Sequence, residues 1–332
     1  MRVLLASPGM GLGGAERVVS SLASGLLARG HAVAISGAPG RLDEGLETGV
    51  ERLILPERGR SPIGVSEWTA RQAAFIRSWR PHVIHSHNAK ATVIAAAAAR
   101  LARGPRRPPL LATHHGAAET DRTTAAKLLL RAADAVVVVS EGTLPAFAPA
   151  VPRVIHNGIP PAPHVTGERE GVVFVGRLEP VKNPQRFLDV AERVPEATFT
   201  VIGDGSLRAR LTGRATFLGA RDDARELLAR AQLLLVTSDS EGMSIAVLEA
   251  LAAGTPVVST PVSGMRELEG VRVASFDPDD LADAVRELLQ DSVLRTIMGE
   301  AGEKLVRERF SADAMVDAYV REYQSLVPKI KN

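Results

Sequence analysis

Short runs of valine, isoleucine and leucine alternate with longer stretches of helical periodicity along almost the whole chain. The apolar runs fall at residues 2–6, 32–36, 82–86, 110–113, 135–139, 152–155, 172–176, 198–202, 233–236, 256–259 and 271–274. Each is nearly continuous rather than alternating, the pattern of a strand covered on both faces. Such strands separated by helices predict parallel sheets of the doubly wound α/β class. Eleven of them exceed what one ordinary sheet holds. The pattern lapses from Pro160-Pro161-Ala162-Pro163 to Glu168, a stretch rich in proline and without apolar periodicity. The expectation is therefore two Rossmann-like domains, at 1–163 and 168–308. A closing segment, 309–332, carries Met315, Tyr319, Tyr323 and Leu326 on one helical face.

Composition narrows the class. A chain of 332 residues can bury two cores. It has no cysteine, which excludes a disulfide scaffold and thiolate chemistry. No apolar run reaches the roughly 18 residues that span a bilayer, since Arg100 interrupts the nearest, 91–102. Met1 to Ala6 reads as a first strand rather than a leader. A cytoplasmic location is expected, with peripheral contact to the inner face of the membrane left open. Net charge is only +2, but residues 1–165 carry +8 and residues 166–332 carry −6. The basic half suits an anionic small molecule or membrane surface, or is simply a solvated arginine surface. The stretch 67–80, with Trp68, Phe75 and Trp79 beside Arg71, Arg77 and Arg80, reads as an ordinary helix packed on a sheet. An interfacial helix would share that pattern.

The chemistry concentrates in a few turns. Ser238 to Ala250 places a polar turn after the apolar run 233–236 and then opens a helix. A helix start offers unpaired N–H groups and favours negative charge. Glu241 stands at that mouth and Glu249 farther back, roughly 12 Å along the axis. Arg177 leaves another strand end, and Lys182 precedes a helix opened at Pro184. Together they would neutralise a diphosphate without a metal. Gly203-Asp204-Gly205 and Phe217-Leu218-Gly219 are further turns after strands, plain turns when seen alone. Gly9, Gly11 and Gly14 match the dinucleotide-binding glycine spacing, but the second strand ends in Ser36-Gly37 with no acid to hold a ribose. That loop either admits a phosphate or sugar to the backbone or is a tight turn. His82, His85, His87, His114 and His115 crowd one region, yet they fall on two strand ends with no Cys, Asp or Glu close in sequence, so no metal site is expected. His115, before Gly116, reads as a polar group facing an interdomain cleft.

Taken together, Gly13-Gly14-Ala15-Glu16-Arg17, the 154–159 turn Val-Ile-His-Asn-Gly-Ile, Gly176-Arg177 with Lys182, Gly203-Asp204-Gly205, and Glu241 to Glu249 running on to Val258 resemble glycosyltransferase family 4, retaining enzymes of the GT-B fold. The resemblance covers nearly the whole chain and is strongest over 172–260. It implies two facing Rossmann-like domains, with the closing helix crossing back to brace the first. It implies a nucleoside diphosphate sugar as donor, held mainly by the second domain, and an acceptor held mainly by the first. Arg177 and Lys182 would hold the diphosphate, Glu241 the sugar hydroxyls and Glu249 the ribose, while His115 would reach the sugar. The implied donor-binding set is Gly14, Gly176, Gly203, Leu218, Gly242, Met243, Ser244, Ile245 and Glu249. No cofactor, metal or nucleic acid is implied. The acceptor would be a small molecule or glycan, whether anionic or lipid-linked being open. Met243 stands where a bulkier Phe or Leu is usual, His156 replaces a commoner proline, and the segment between 40 and 65 is trimmed. A sugar-nucleotide epimerase or a catalytically silent nucleotide-sugar-binding subunit would keep much of the same pocket. A phosphorylase of this scaffold would need a pyridoxal phosphate lysine, which no motif supplies.

Overall fold

All of the expected apolar runs form strands, and two more join them. The structure, a computed structural model, describes residues 1–57, 61–102, 107–116 and 122–327. It divides into two units, Met1–Gly158 with Ala312–Asn332, and Ile159–Ser311.

The first unit holds β1 (Arg2–Gly9), β2 (Ala32–Ala38), β3 (Val50–Ile54), β4 (Val83–Ser86), β5 (Leu110–His114), β6 (Ala135–Val138) and β7 (Arg153–Val154). Its sheet runs β3-β2-β1-β4-β5-β6-β7, parallel throughout. The second holds β8 (Val172–Val175), β9 (Phe199–Ile202), β10 (Thr216–Gly219), β11 (Leu233–Val236), β12 (Val257–Ser259) and β13 (Val271–Val273), in the parallel order β10-β9-β8-β11-β12-β13. The strands not foreseen, β3 and β10, are both edges. Val50-Glu51-Arg52-Leu53-Ile54 and Thr216-Phe217-Leu218-Gly219 have no fully buried residue, so their hydrophobic signal is weak. Strand order reverses at β1/β4 and at β8/β11, the positions where doubly wound sheets open a crevice beyond the carboxyl ends.

Connecting helices are α1 (Gly14–Ala28), α2 (Pro62–Trp79), α3 (Ala89–Leu101), α4 (Arg122–Ala132), α5 (Pro184–Arg193), α6 (Ala224–Ala229), α7 (Ile245–Ala252), α8 (Pro278–Gln290), α9 (Ser292–Arg309) and α10 (Ala312–Leu326). In the first unit the alanines of α3 let the helix lie close on Leu4, Ile84 and Leu110. In the second, Phe174, Phe187 and Phe199 meet edge to face, with centroids 5.6 and 5.4 Å apart. The aromatic face of α2 turns inward: Trp68 is buried with Leu55 and Ile94 and donates from Nε1 to the Pro56 carbonyl at 2.7 Å. Among the described residues no helix is long and apolar enough to cross a membrane.

The last helix, α10, returns to the first unit. Met315, Tyr319 and Tyr323 are buried, and Leu326 is half-buried. Gly25 of α1 admits Val316, whose Cγ2 would lie 2.5 Å from any Cβ there. Arg29 pairs with Asp313 at 3.1 Å and Asp317 at 2.7 Å. Residues 328–332 of the expected closing segment lie outside the described residues.

Two glycine turns of the second unit touch backbone to backbone. Gly203 adopts φ +144°, and a Cβ on it would stand 1.9 Å from the Gly176 carbonyl oxygen. Both the dihedral and the space exclude a side chain. Gly203→Ala is expected to lower the stability of this unit by on the order of 2–4 kcal/mol. Urea unfolding measures it; an unchanged midpoint would show that the turns do not rely on this contact.

Candidate functional site

The residues expected to bind a diphosphate gather at the β8/β11 switch point. Gly176 and Arg177 follow β8, and the loop 237–244 follows β11. Main-chain bonds fix the first turn: the Gly176 N–H donates to Ile202 at 3.0 Å and the Leu178 N–H to Asp204 at 2.9 Å. Arg177 is exposed at this edge. Lys182 ends a short 3-10 turn, and Asn183, at φ 45°, then caps α5 by accepting from the Arg186 N–H at 3.2 Å. The second loop is stitched onto this one. The Thr237 hydroxyl donates to the Lys182 and Asn183 carbonyls at 3.1 and 2.9 Å, and Arg186 pairs with Asp239 at 2.8 Å.

The stitching brings Lys182 Nζ to 2.5 Å from Glu241 Oε1, and the Ser238 hydroxyl donates to the same oxygen at 2.7 Å. Directly beyond lies the start of α7. Ser244 occupies the cap position but its side chain makes no capping bond. The first N–H groups of a helix have no partner within it, so this start keeps donors facing outward with the positive end of the dipole. Gly242, Met243, Ser244 and Ile245 form the link from Glu241 into the first turn of α7. Leu218 lies in β10, next to Gly219 at φ +70°, whose carbonyl accepts from the Gly203 N–H at 2.8 Å.

Glu249, on α7, is buried. Its Oε1 stands 3.5 Å from Nε of Arg225, a residue that sequence reasoning did not single out. Arg225 also donates to the Pro160 and Pro161 carbonyls at 3.0 and 2.9 Å. A buried carboxylate needs such a partner, because an unpaired one costs several kcal/mol. An isolated arginine on a short helix carries no motif, so only the fold reveals it. A polar groove lined by Glu168, Arg169, Gln232, Pro256 and Glu300 lies at the amino ends of these strands, away from the site.

In the first unit Gly14 is the first helical residue of α1, after a bend in which Gly40 sits so close to Met10 that a Cβ would meet its carbonyl oxygen at 2.2 Å. Four of the five clustered histidines lie at the ends of β4 and β5, and the rings of His85, His87 and His115 are in contact. The sequence places them on separate strands, but the sheet makes those strands neighbours. His82 stays at the other end, accepting from the Arg2 N–H at 2.8 Å. The rings of His85 and His87 lie 4.1 Å apart, and His87 stacks on His115 at 5.3 Å. His87 Nδ1 and His115 Nε2 are 3.0 Å apart. His85 is bound at both nitrogens, to the Tyr323 hydroxyl and the Thr113 hydroxyl, each at 2.7 Å. His114 packs edge-on against Phe147. Among the described residues no set of three or more His, Cys, Asp or Glu side chains has a geometry that could hold a metal ion. Burial pushes His85 and His87 well below the ordinary imidazole range. Burial also lowers His115, to about 4, with Asn157 opposing the shift in part.

Two family profiles match the chain: "Glycosyltransferase Family 4" over residues 12–162 and "Glycosyl transferases group 1" over residues 169–291. The chain belongs to the family-4, group-1 glycosyltransferases with the GT-B fold. It is 32% identical over 164 residues to the lipopolysaccharide core biosynthesis glycosyltransferase LpsE of Rhizobium meliloti, covering 45% of this chain and 48% of that protein. It is 30% identical over 162 residues to N-acetyl-alpha-D-glucosaminyl L-malate synthase of Bacillus anthracis, covering 45% and 42%. These matches span about half the length of the curated relatives. The fold is that of Anabaena HepE, solved in complex with UDP-glucose, at TM-score 0.81, 20% identity and coverage of 98% and 100%.

The histidine column makes stability depend on pH. Each of these imidazoles has a folded pKa below its unfolded value of about 6.5. Between about pH 4 and pH 6.5 the unfolded chain therefore binds more protons, and stability rises with pH. The contribution is complete above pH 6.5 and lost on acidification towards the folded values. Urea unfolding of the first unit at pH 7.5, 6.5 and 5.5 should show a falling midpoint; a flat one would contradict the buried neutral rings.

Proposed function

We propose that this protein transfers a glycosyl group from a nucleoside diphosphate sugar to a hydroxyl of a glycan, lipid-linked glycan or small natural product, with retention of anomeric configuration. The observation that carries the reading is the uncapped start of α7 beside the Lys182–Glu241 pair. A diphosphate there would meet the N–H groups of Gly242 to Ile245, the ammonium of Lys182 and the exposed guanidinium of Arg177. Glu241 would then accept from sugar hydroxyls and Glu249 from the ribose. Gly176, Gly203 and Leu218 would line the donor, and the first unit would supply Gly14, His115 and the acceptor contacts. HepE is solved with UDP-glucose, which makes that the first donor to test.

The reaction breaks the bond between the anomeric carbon and the diphosphate oxygen and forms one to the acceptor oxygen on the same face. The acceptor's proton passes to an oxygen of the departing diphosphate. Negative charge grows on that leaving group, and preorganised donors aimed at developing charge are commonly the largest catalytic contribution. The retaining family resemblance supports retention. The commitment of both carboxylates bears on the route rather than the stereochemistry: Glu241 is bound by Lys182 and Ser238, and Glu249 pairs with Arg225. Neither is set up as one of the two facing carboxyl groups of a retaining glycosidase. Charge neutralisation by Arg177 and Lys182 needs no metal. The two relatives' names run from a lipopolysaccharide core to malate, so the proposed acceptor stays at the level of a hydroxyl-bearing molecule.

Arg177→Ala and Lys182→Ala should each lower turnover by about a hundredfold or more while donor binding stays measurable. Turnover near wild type in both would remove their assigned roles, and loss of activity in EDTA would overturn the metal-free reading. A thermal-shift screen of UDP, GDP, ADP and TDP sugars identifies the donor, since a ligand at a hundred times its Kd stabilises by about 2.7 kcal/mol. Donor incubated alone should hydrolyse slowly at most; its conversion into an isomeric nucleotide sugar would mark an epimerase. Binding without transfer across a broad acceptor panel would mark a silent subunit. The proton coupling of the product's anomeric centre reports retention or inversion.

A further inference from the structure

We infer that His87 is a positioning residue for His115, fixing the plane and the tautomer of that ring through the Nδ1–Nε2 hydrogen bond. The inference rests on the reading above, in which His115 serves the donor sugar. His115 follows β5 directly and precedes Gly116, which takes φ +106°. What holds the His115 ring is His87: a ring bond of 3.0 Å and a stacking contact with the planes 20° apart. His87 itself is 2% exposed, and its main-chain N–H donates to Ala6 of β1 at 3.0 Å, which clamps it to the sheet. Its ring lies on His85, whose two nitrogens are both bonded, one to Tyr323 of α10. Thr113, the other partner, also meets the Tyr319 hydroxyl of α10 at 3.0 Å. The column thus runs from the last helix through His85 and His87 to His115, the ring assigned to the sugar.

A neutral imidazole has one donor nitrogen and one acceptor nitrogen. Two neutral rings sharing one hydrogen bond must hold complementary tautomers, so the protonation pattern of His115 is coupled to that of His87, whose Nε2 has no bonded partner among the described residues. On the far side of the His115 ring stands Asn157, whose side chain favours the protonated ring, but His115 Nδ1 and Asn157 Oδ1 have no partner within hydrogen-bonding geometry among the described residues. The bond within that geometry is the one to His87. A contact used in the transition state depends on such fixing, because a displacement of about 1 Å can cost about a hundredfold in rate.

His87→Leu should lower kcat by about tenfold to a hundredfold with the donor KM within about twofold, and His87→Asn, whose amide keeps a hydrogen-bonding group near the Nδ1 position, should recover most of it. In a His115→Ala background His87→Leu should cost nothing further. Nitrogen-15 chemical shifts of His115 give a readout apart from activity: one tautomer in the wild type, an averaged pair in His87→Leu. If His87→Leu costs the same factor with and without His115, or leaves the His115 tautomer unchanged, the inference is overturned while the site assignment stands. If His115→Ala alone turns over at the wild-type rate, the role of His115 fails, and this inference with it. Should His87→Leu not fold, the His87→Asn kinetics and shifts decide: wild-type values support the positioning role, and a slow enzyme with an unchanged His115 tautomer overturns it.

Discussion

The contact of Gly203 with the Gly176 carbonyl is the constraint on which the second unit's site depends. Two strand ends approach so closely that no Cβ fits between them. That approach aims the chain after β8, and so decides where Arg177 leaves the sheet and where Lys182 arrives. Bonds from Thr237 and Arg186 then tie the loop after β11 to the same turn, and Glu241 comes to rest on Lys182. Neither charged residue could be placed by its own element alone. Lys182 sits on a three-residue turn and Glu241 on an irregular loop, so their 2.5 Å pairing is a product of backbone packing beneath them. The helix start beyond adds donors that need no side chain.

Buried charge in this site is handled by pairing. Glu241 has an ammonium and a hydroxyl, and Glu249 a guanidinium that also holds the carbonyls of Pro160 and Pro161. A buried carboxylate is costly without a partner, and Arg225 stands beside Glu249 as that partner. The first unit solves the opposite problem. Burial lowers the pKa of His85, His87 and His115, which favours the neutral rings, and the three are joined by ring contacts and a hydrogen bond. One unit gathers paired charges at its strand ends, the other a stack of imidazoles.

How much of this was legible varied with the kind of signal. Buried central strands announced themselves as continuous apolar runs, and the face of α10 as a helical repeat. Edge strands β3 and β10 did not, because a strand with one side in water carries few apolar residues. That the turns after β8 and β11 stand side by side could be anticipated from the winding pattern, because both follow strand ends at a switch point. Arg225 and the histidine column could not be, because both depend on strand and helix neighbours distant in sequence. His85 and Tyr323 are 238 residues apart, and no spacing rule reaches that far.

Both units repeat one winding plan, with the first strand beside the fourth, and both put their polar groups beyond the carboxyl ends at that reversal. The plan explains the location of the groups but not their kind. In the second unit the residues after β8 and β11 are a cation and an acid-bearing loop that closes onto a helix start. In the first, the residues after β1 are glycines that bring the backbone near, and those at the ends of β4 and β5 are histidines. The difference traces to what packs behind each set. The α10 tyrosines fill the space behind His85 with apolar rings and two hydroxyls, a setting that tolerates neutral imidazole and disfavours charge. Behind Glu249 stands Arg225, a setting that requires charge. α10 thus sets the surroundings of His85 as well as packing on α1.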